Sequence, residues 1–233
     1  MADECGEVRG REAKVRARAH TRALIVRTGT ALLTEKSYAS VGIDEVLERA
    51  GVSRGSFYHF FPSKEAFCQA VIDNYADYFD RKLRRLLGDA TVSAAARLQN
   101  YVDEASRGVE KFGFTRGCLI GALSQELGAH SAVFRPKLDA VFANWQRHVA
   151  DCLRDGVAAG ELSRSLDAER TAEFFWYGWE GALMRMKLDL SAMPLRRFGR
   201  HFIDALPRPA RRAAAMSHVG DRSRKPTSAP EAA

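Results

Sequence analysis

Side chains able to donate hydrogen bonds are concentrated in residues 53–67, which read SRGSFYHFFPSKEAF. On a helix, Phe57 and Phe61 lie four positions apart and share one side, which packs on neighbouring helices. The other side carries polar side chains and one glycine: Arg54, Gly55, Ser56, Tyr58 and His59. These donors suit phosphate oxygens and base edges, and the glycine allows a close approach to a groove. The stretch therefore predicts a core contact on one side and a nucleic-acid contact on the other.

A second group of candidate residues lies in the carboxyl-terminal half of the chain. Trp176, Glu180 and Lys187 follow helical spacing, and Trp179 lies beside them. Because charges on an otherwise apolar helix need partners, this stripe predicts a pocket or a core contact. Within a pocket, Arg116, Arg185 or Lys187 is suited to binding a ligand carboxylate. An aromatic stripe at this spacing is equally consistent with plain core packing.

Cys118 is the third candidate, since Gly117 and Gly121 lie one turn apart and allow a close helix crossing beside it. The alternative interpretation is a small, inert core residue. The four cysteines of the chain are widely scattered and form no C-x-x-C pair. This spacing predicts neither a disulfide framework nor a zinc site, and we expect no metal and no cofactor.

The net charge of the chain is +7, and the excess lies at its two ends. Residues 8–27 carry seven lysines and arginines against one acid. Such an excess suits a phosphate-facing arm, so we expect residues 1–17 to approach DNA, with Arg16 and the following Arg18 among the contacts. Residues 207–233 are predicted to form a disordered basic tail.

Helical periodicity dominates the elements that must position these residues, which predicts an all-α protein. The expected helices run from residue 12 or 18 to 36, then 43–50, 53–61, 64–87, 93–112, 118–128, 132–159, 168–190 and 194–206. The chain is 46% hydrophobic and 28% charged, which is typical of a globular protein with a core. No apolar run approaches the roughly 18 residues that cross a bilayer, and we recognise no secretory leader. We therefore expect a cytoplasmic protein without a membrane partner.

Short-range signals define the arrangement around the polar stretch. Gly51 suits a left-handed turn, Ser53 and Ser63 suit helix N-caps, and Pro62 ends the helix before it. Lys64 then begins a longer helix, where free amides and the helix dipole favour an anion. A helix, a three-residue turn and a second helix, set between longer helices, predict a helix-turn-helix DNA-binding domain. The predicted divisions are a basic arm at 1–17, this domain at 18–64, a ligand-binding and dimerisation domain at 65–206, and the tail at 207–233.

Residues 40–67, SVGIDEVLERAGVSRGSFYHFFPSKEAF, resemble the DNA-binding segment of TetR-family repressors, and the resemblance extends over the whole chain. It implies a positioning helix at Ile43–Ala50 and a recognition helix at Ser53–Phe61, with Tyr58 and Lys64 at phosphate-contacting positions. It further implies a homodimer that binds double-stranded operator DNA and a small-molecule inducer. A ligand that shifts the helix at 64–87 would change the spacing of the two recognition helices.

Three further segments resemble one TetR subgroup, which includes the acrylate-utilisation repressors and the electrophile-sensing repressor of N-ethylmaleimide reductase. They are FGFTRGCLIGALSQELGA, NWQRHVADCLRDGVAAGEL and FFWYGWEGALMRMKL. The resemblance implies a pocket that includes Trp145 and a ligand such as acrylate, a related unsaturated acid or its thioester. Cys118 aligns with a reactive thiol, and Lys187 aligns with the lysine thought to work with it. A nearby ammonium and a helix N-terminus would both lower the pKa of that thiol.

The leading hypothesis is a dimeric, ligand-responsive transcriptional repressor and not an enzyme. One alternative keeps the DNA-binding domain and makes Cys118 a covalent sensor of electrophiles or oxidants. A helical enzyme with Cys118 as nucleophile is a second alternative, although His130 and His148 lie on other predicted helices with no orienting carboxylate. A protein-binding scaffold without DNA affinity is the third.

Overall fold

The computed structural model describes residues 2–209, with residues 2–10 and 12 described by their backbone only. Every regular element in this range is a helix, which confirms the predicted all-α class. The helices are α1 (Ala2–Glu35), α2 (Ile43–Ala50), α3 (Arg54–Phe60), α4 (Lys64–Leu87), α5 (Ala94–Lys111), α6 (Leu119–Leu127), α7 (Phe134–Ala158), α8 (Ala168–Asp189) and α9 (Met193–Ala205). Each helix after α1 lies within two residues of its predicted bounds.

The first helix differs from its prediction. We expected it to begin at residue 12 or 18, but α1 begins at Ala2 and is continuous through Arg16 and Arg18. The residues that follow Gly10 are mostly alanine, arginine and lysine, which favour helix, and no proline interrupts them. The described part of the predicted basic arm is therefore the start of α1. Residues 210–233, which hold most of the predicted tail, lie outside the described residues.

The amino-terminal domain is built from α1 to α3 and the start of α4. Gly51 adopts a left-handed conformation, with φ of 65°, and allows the sharp turn between α2 and α3. Ser53 and Ser63 accept hydrogen bonds from the backbone N–H groups three residues later, which confirms both predicted N-caps. Phe57 and Phe61 are buried, with exposed fractions of 0% and 2%. They hold α3 against the rest of the domain, as the sequence predicts.

The carboxyl-terminal body packs α5, α7, α8 and α9 around an aromatic core, with α4 joining this body to the amino-terminal domain. Trp145 of α7 and Trp176 of α8 are buried, and their ring centroids lie 5.1 Å apart. Arg97 of α5 is also buried, where it pairs with Asp155 of α7 at 2.9 Å. Across residues 2–209, no helix combines the length and apolar character needed to span a membrane.

Candidate DNA interface and ligand cavity

The outer face of α3 presents the side chains that the sequence assigned to DNA contact. Arg54, Gly55, Tyr58 and His59 are exposed and Ser56 is half-buried. A Cβ at Gly55 would meet only Oγ of Ser53, at 4.0 Å, so internal packing does not require glycine there. Tyr58 keeps 45% of its surface exposed while its ring packs edge-on against Phe57. The outer face of α3 is therefore accessible to a partner, and the buried Phe57 packs directly against Tyr58 from the core side.

Two arginines next to this face have partners within the protein. Arg18 of α1 donates a hydrogen bond to Nε2 of His59, so the two predicted contacts lie together. Because a guanidinium only donates, this hydrogen bond requires His59 to carry its proton on Nδ1. Arg54 forms an exposed ion pair with Asp44 of α2. Arg16 is exposed on α1, one turn before His20.

Lys64 differs from the other predicted DNA contacts because it is partly buried. Its ammonium donates a hydrogen bond to the carbonyl oxygen of Tyr38 at 2.6 Å and lies 4.4 Å from the centroid of the Tyr38 ring. These contacts join the start of α4 to the connection between α1 and α2. An internal role for Lys64 is therefore established by the geometry, whereas its phosphate contact stays a prediction.

A cavity of about 500 Å³ lies between the amino-terminal domain and the body. It is lined from α1, α4, α5, α7, α8 and the segment that leads into α6. The predicted ligand residues on its wall are Arg116, Cys118, Trp145, Trp176, Trp179 and Glu180. Lys187 is not part of the wall; its ammonium donates to the carbonyl oxygen of Thr34 at 3.3 Å. Volumes of this size are typical of sites for small organic ligands.

Cys118 and Glu180 are neighbouring polar residues on the wall of this cavity. Cys118 is the N-cap of α6, and its Sγ accepts a hydrogen bond from the N–H of Gly121 at 3.3 Å. A Cβ at Gly121 would overlap the carboxylate of Glu180, so the glycine makes room for that side chain. Burial raises the pKa of Glu180 from 4.5 to about 7, although its hydrogen bond with Cys118 opposes the shift. A carboxyl group with this pKa is partly protonated at neutral pH and is able to donate a hydrogen bond.

The charged group that acts on the Cys118 thiol in the structure is Glu180 and not the predicted Lys187, and the sensing role of Cys118 stays a prediction. Burial, followed by the charge of Glu180, raises the pKa of Cys118 well above its ordinary value. Lys187 instead lies against Gly117, where a Cβ would come 2.9 Å from its Cε, and burial lowers the pKa of the lysine. The start of α6 at Cys118 is as expected, and the charged side chain that hydrogen-bonds the thiol is the carboxyl group of Glu180.

Several buried polar atoms on the cavity wall have no hydrogen-bond partner within the described residues. They are Nε1 of Trp145, Nε1 of Trp176 and Oε1 of Glu180. A buried, unpaired polar group costs about 1–3 kcal/mol, so three around one cavity favour a ligand-binding role over plain core. By contrast, the side chains that the structure describes, those of residue 11 and residues 13–209, include no group of three or more His, Cys, Asp or Glu arranged to bind a metal ion.

Sequence reasoning missed much of the cavity wall. Tyr75 of α4 and Tyr101 of α5 line it, and burial raises the pKa of both phenols well above the ordinary value. Three cations also line it, namely Arg27, Arg81 and Lys82. The sequence signal for this part of the wall lies on α4, where Asn74, Tyr78 and Arg81 recur at spacings of four and three on one side. That spacing alone does not distinguish a cavity wall from a solvated face.

The cavity wall is connected to the DNA-binding domain by hydrogen bonds. Glu126, near the end of α6, accepts from the backbone N–H groups of Tyr38 and Ala39, each at 2.7 Å. Arg116 pairs with Glu35 at 2.9 Å, and Glu35 also pairs with Arg49 of α2 at 3.0 Å. A displacement at the start of α6 would therefore be transmitted to the end of α1 and to the connection between α1 and α2.

Two family models match the chain in the same division into domain and body. Residues 25–71 match the model described as bacterial regulatory proteins, tetR family. Residues 94–202 match the model described as tetracyclin repressor-like, C-terminal domain. The first match holds the helix-turn-helix, and the second holds most of the cavity wall.

Curated relatives and solved structures agree with these matches. The transcriptional regulator AcuR of Cereibacter sphaeroides is 46% identical over 183 residues, covering 77% of this chain and 84% of that protein. The transcriptional repressor NemR of Escherichia coli K12 is 27% identical over 190 residues, covering 82% of this chain and 96% of that protein. A crystal structure of a regulatory protein TetR from Rhodobacter sphaeroides covers 79% of this chain and 97% of its own, with 44% identity and a TM-score of 0.76. The chain belongs to the TetR family of transcriptional regulators, and not to a family of enzymes.

Proposed function

We propose that the protein is a dimeric transcriptional repressor that binds double-stranded operator DNA and is released by a small ligand in the cavity. One observation carries this proposal: the cavity wall and the helix-turn-helix share α1 and α4 and are joined through α6. The family assignment supports the regulatory role, and the names of NemR and AcuR support repression or regulation in those proteins. The ligand class, by resemblance, is acrylate, a related unsaturated acid or its thioester.

The contacts around α6 supply a route from ligand to DNA. The helix starts at Cys118 on the cavity wall and, through Glu126, contacts the connection between α1 and α2. Leu119 N–H also points at the hydroxyl of Tyr75 on α4, at 3.4 Å. A ligand that binds better when α6 or α4 is displaced would favour a conformer with lower operator affinity. Only such a difference in affinity between two conformers produces release.

The exposed face of α8 suits a second copy of the chain. Phe174, Tyr177, Met184 and Leu188 lie on one side of the helix, and each keeps at least 60% of its surface exposed. Four large apolar side chains exposed along one side of a helix are uncommon on the surface of a monomeric protein. To bind successive major grooves, the paired copies must hold their two recognition helices about 34–36 Å apart. Tyr177→Asp with Leu188→Asp should give a monomer by analytical ultracentrifugation, whereas a dimer that survives both changes would contradict this assignment.

Operator binding is tested with the DNA upstream of the gene and of its neighbours. We expect binding that weakens steeply with salt, because phosphate contacts release counterions. Tyr58→Phe and Arg54→Gln should weaken it, while Asp204→Asn on the exposed surface of α9 should not. Absence of binding to every such fragment would contradict the proposal. Acrylate and its thioesters are then added to the bound complex, and release is followed by fluorescence anisotropy.

A covalent sensor at Cys118 is the second candidate, because this thiol lies on the cavity wall within reach of a ligand. The raised pKa of Cys118 argues against it, since the thiolate is the reactive form. Cys118→Ser separates the two functions. Unchanged release by the ligand supports reversible binding, whereas loss of release, together with a mass increase on the wild-type thiol, supports covalent sensing.

A further inference from the structure

The charges of the cavity wall are unevenly distributed. Four cations line the cavity, namely Arg27, Lys82, Arg81 and Arg116, and Glu180 is the one acid on the described wall. Arg27 and Arg81 are exposed, whereas Trp145 and Trp176 are at most 2% exposed. The cavity therefore has a basic mouth at α1 and α4 and an aromatic inner end.

Two of the four cations are neutralised within the protein. Arg116 pairs with Glu35 at 2.9 Å, and Lys82 lies 3.4 Å from Glu104. Within the described residues, Arg27 and Arg81 form no ion pair and no side-chain hydrogen bond. Arg27 lines the cavity from α1 and Arg81 lines it from α4, so two unpaired cations at exposed positions border the same volume and suit an anion there. Guanidinium groups suit phosphate especially well, since their planar fork donates two parallel hydrogen bonds.

The volume of the cavity is large for a short acid alone. Liquid water occupies about 30 Å³ per molecule, so an acid of five heavy atoms fills roughly 150 Å³ at most. The cavity measures about 500 Å³ and opens to solvent at its basic mouth. A three-carbon acid beside Glu180 would leave most of this volume to be filled by something else. A longer ligand with a polar end would extend to Arg27 and Arg81.

We propose that the cavity takes a ligand in two parts: a short acyl group beside Cys118 and Glu180, and a phosphate group held by Arg27 and Arg81. An acyl thioester of a phosphate-bearing carrier has this chemistry. The inference rests on the proposed function, because it specifies the inducer of that same site. It also separates the thioester from the free acid, which the resemblance leaves as alternatives.

Three ligands that share one saturated acyl group test the proposal. They are propionyl coenzyme A, the propionyl thioester of N-acetylcysteamine, which carries no phosphate, and propionate. A saturated acyl group has no activated alkene, so conjugate addition by Cys118 is excluded. Isothermal titration calorimetry on the full-length protein should show propionyl coenzyme A binding roughly tenfold or more tightly than the neutral thioester. The preference should shrink as salt is raised.

Arg27→Gln with Arg81→Gln should reduce that preference to about twofold. The matched control is Arg164→Gln with Arg200→Gln, which removes the same charge from exposed positions outside the cavity wall. This control should keep the wild-type preference. The two single variants, each checked by thermal unfolding, give the answer if the double variant does not fold.

The outcomes separate this inference from the proposed function. Equal binding of the two thioesters, or a preference that persists in the Arg27 and Arg81 variant, overturns the two-part ligand. If both thioesters nevertheless release operator DNA equally, the repressor function stands. If none of the three ligands binds, this inference fails, while the ligand class of the proposed function is decided by the release experiment with acrylate and its thioesters. Binding of free coenzyme A as tightly as its thioester would also overturn it, since the inner acyl site would then contribute nothing.

Discussion

The carboxyl group of Glu180 makes the stability of the protein depend on pH. Its pKa is raised from 4.5 to about 7, mainly by burial, because the ionised form loses its hydration on the cavity wall. A pKa raised on folding stabilises the protein fully below the unfolded pKa of 4.5. This stabilisation is then lost as the pH rises through the folded pKa of about 7.

The size of the effect follows from the two pKa values. One pKa unit corresponds to about 1.4 kcal/mol, so the shift from 4.5 to about 7 is worth about 3 kcal/mol in the free energy of unfolding. About 2 kcal/mol of this should be lost between pH 5 and pH 8. Glu180→Gln keeps the shape of the side chain and removes its charge. The free energy of unfolding of the variant should therefore exceed that of the wild type by a margin that grows over this range.

Urea unfolding at several pH values and one protein concentration measures this margin. Asp204→Asn on the exposed surface of α9 is the control and should follow the wild-type pH profile. Profiles for Glu180→Gln and wild type that run parallel from pH 5 to pH 8 would refute the assignment of a neutral Glu180. The same result would remove the argument that this carboxyl donates a hydrogen bond to a ligand.

Further expectations concern the DNA-binding domain and its connection to the cavity. Phe57→Ala should lower the free energy of unfolding by about 3–5 kcal/mol because it empties a fully buried site. Tyr58→Phe should leave the free energy of unfolding unchanged and weaken operator binding. Equal losses of stability for the two variants in urea unfolding would contradict the division of α3 into core and contact faces. Glu126→Gln places a donor against one of two backbone N–H groups, so the ligand-induced change in operator affinity should shrink roughly fivefold or more, as measured by anisotropy with and without ligand. Unchanged coupling would exclude Glu126 from the route between cavity and DNA.

The helix-turn-helix could be predicted from the sequence because local signals determine it. Gly51, Ser53 and Ser63 each act within a few residues of their own position, through a turn conformation or a cap. The spacing of Phe57 and Phe61 likewise determines which side of α3 is buried. These interactions need no knowledge of distant elements. The start of α1 was predicted less well, since a charged, alanine-rich segment gives helical propensity but no apolar stripe to mark its first residue.

The cavity depended on tertiary structure, because its wall comes from six parts of the chain. The aromatic and charged stripe of α8 was visible in the sequence, but the contributions of Tyr75, Tyr101, Arg27 and Arg81 were not. Each of these side chains lies on a helix whose periodicity is equally consistent with core or with solvent. Only the packing of α1, α4 and α5 against α8 places them around one volume.

The surroundings of Cys118 separate what the sequence determines from what the tertiary structure determines. The sequence determined that this thiol begins a helix and that two of the charged residues of α8, Glu180 and Lys187, lie seven residues apart on a similar side. Seven residues span about 10 Å of helix, so the two charged residues meet different parts of the segment that crosses α8. The crossing of α6 over α8 decides which charged residue contacts the thiol, since Gly121 lies against Glu180 and Gly117 lies against Lys187. The thiol therefore has a carboxyl neighbour and a raised pKa, a result that depends on the register between two helices and not on the residues of either one.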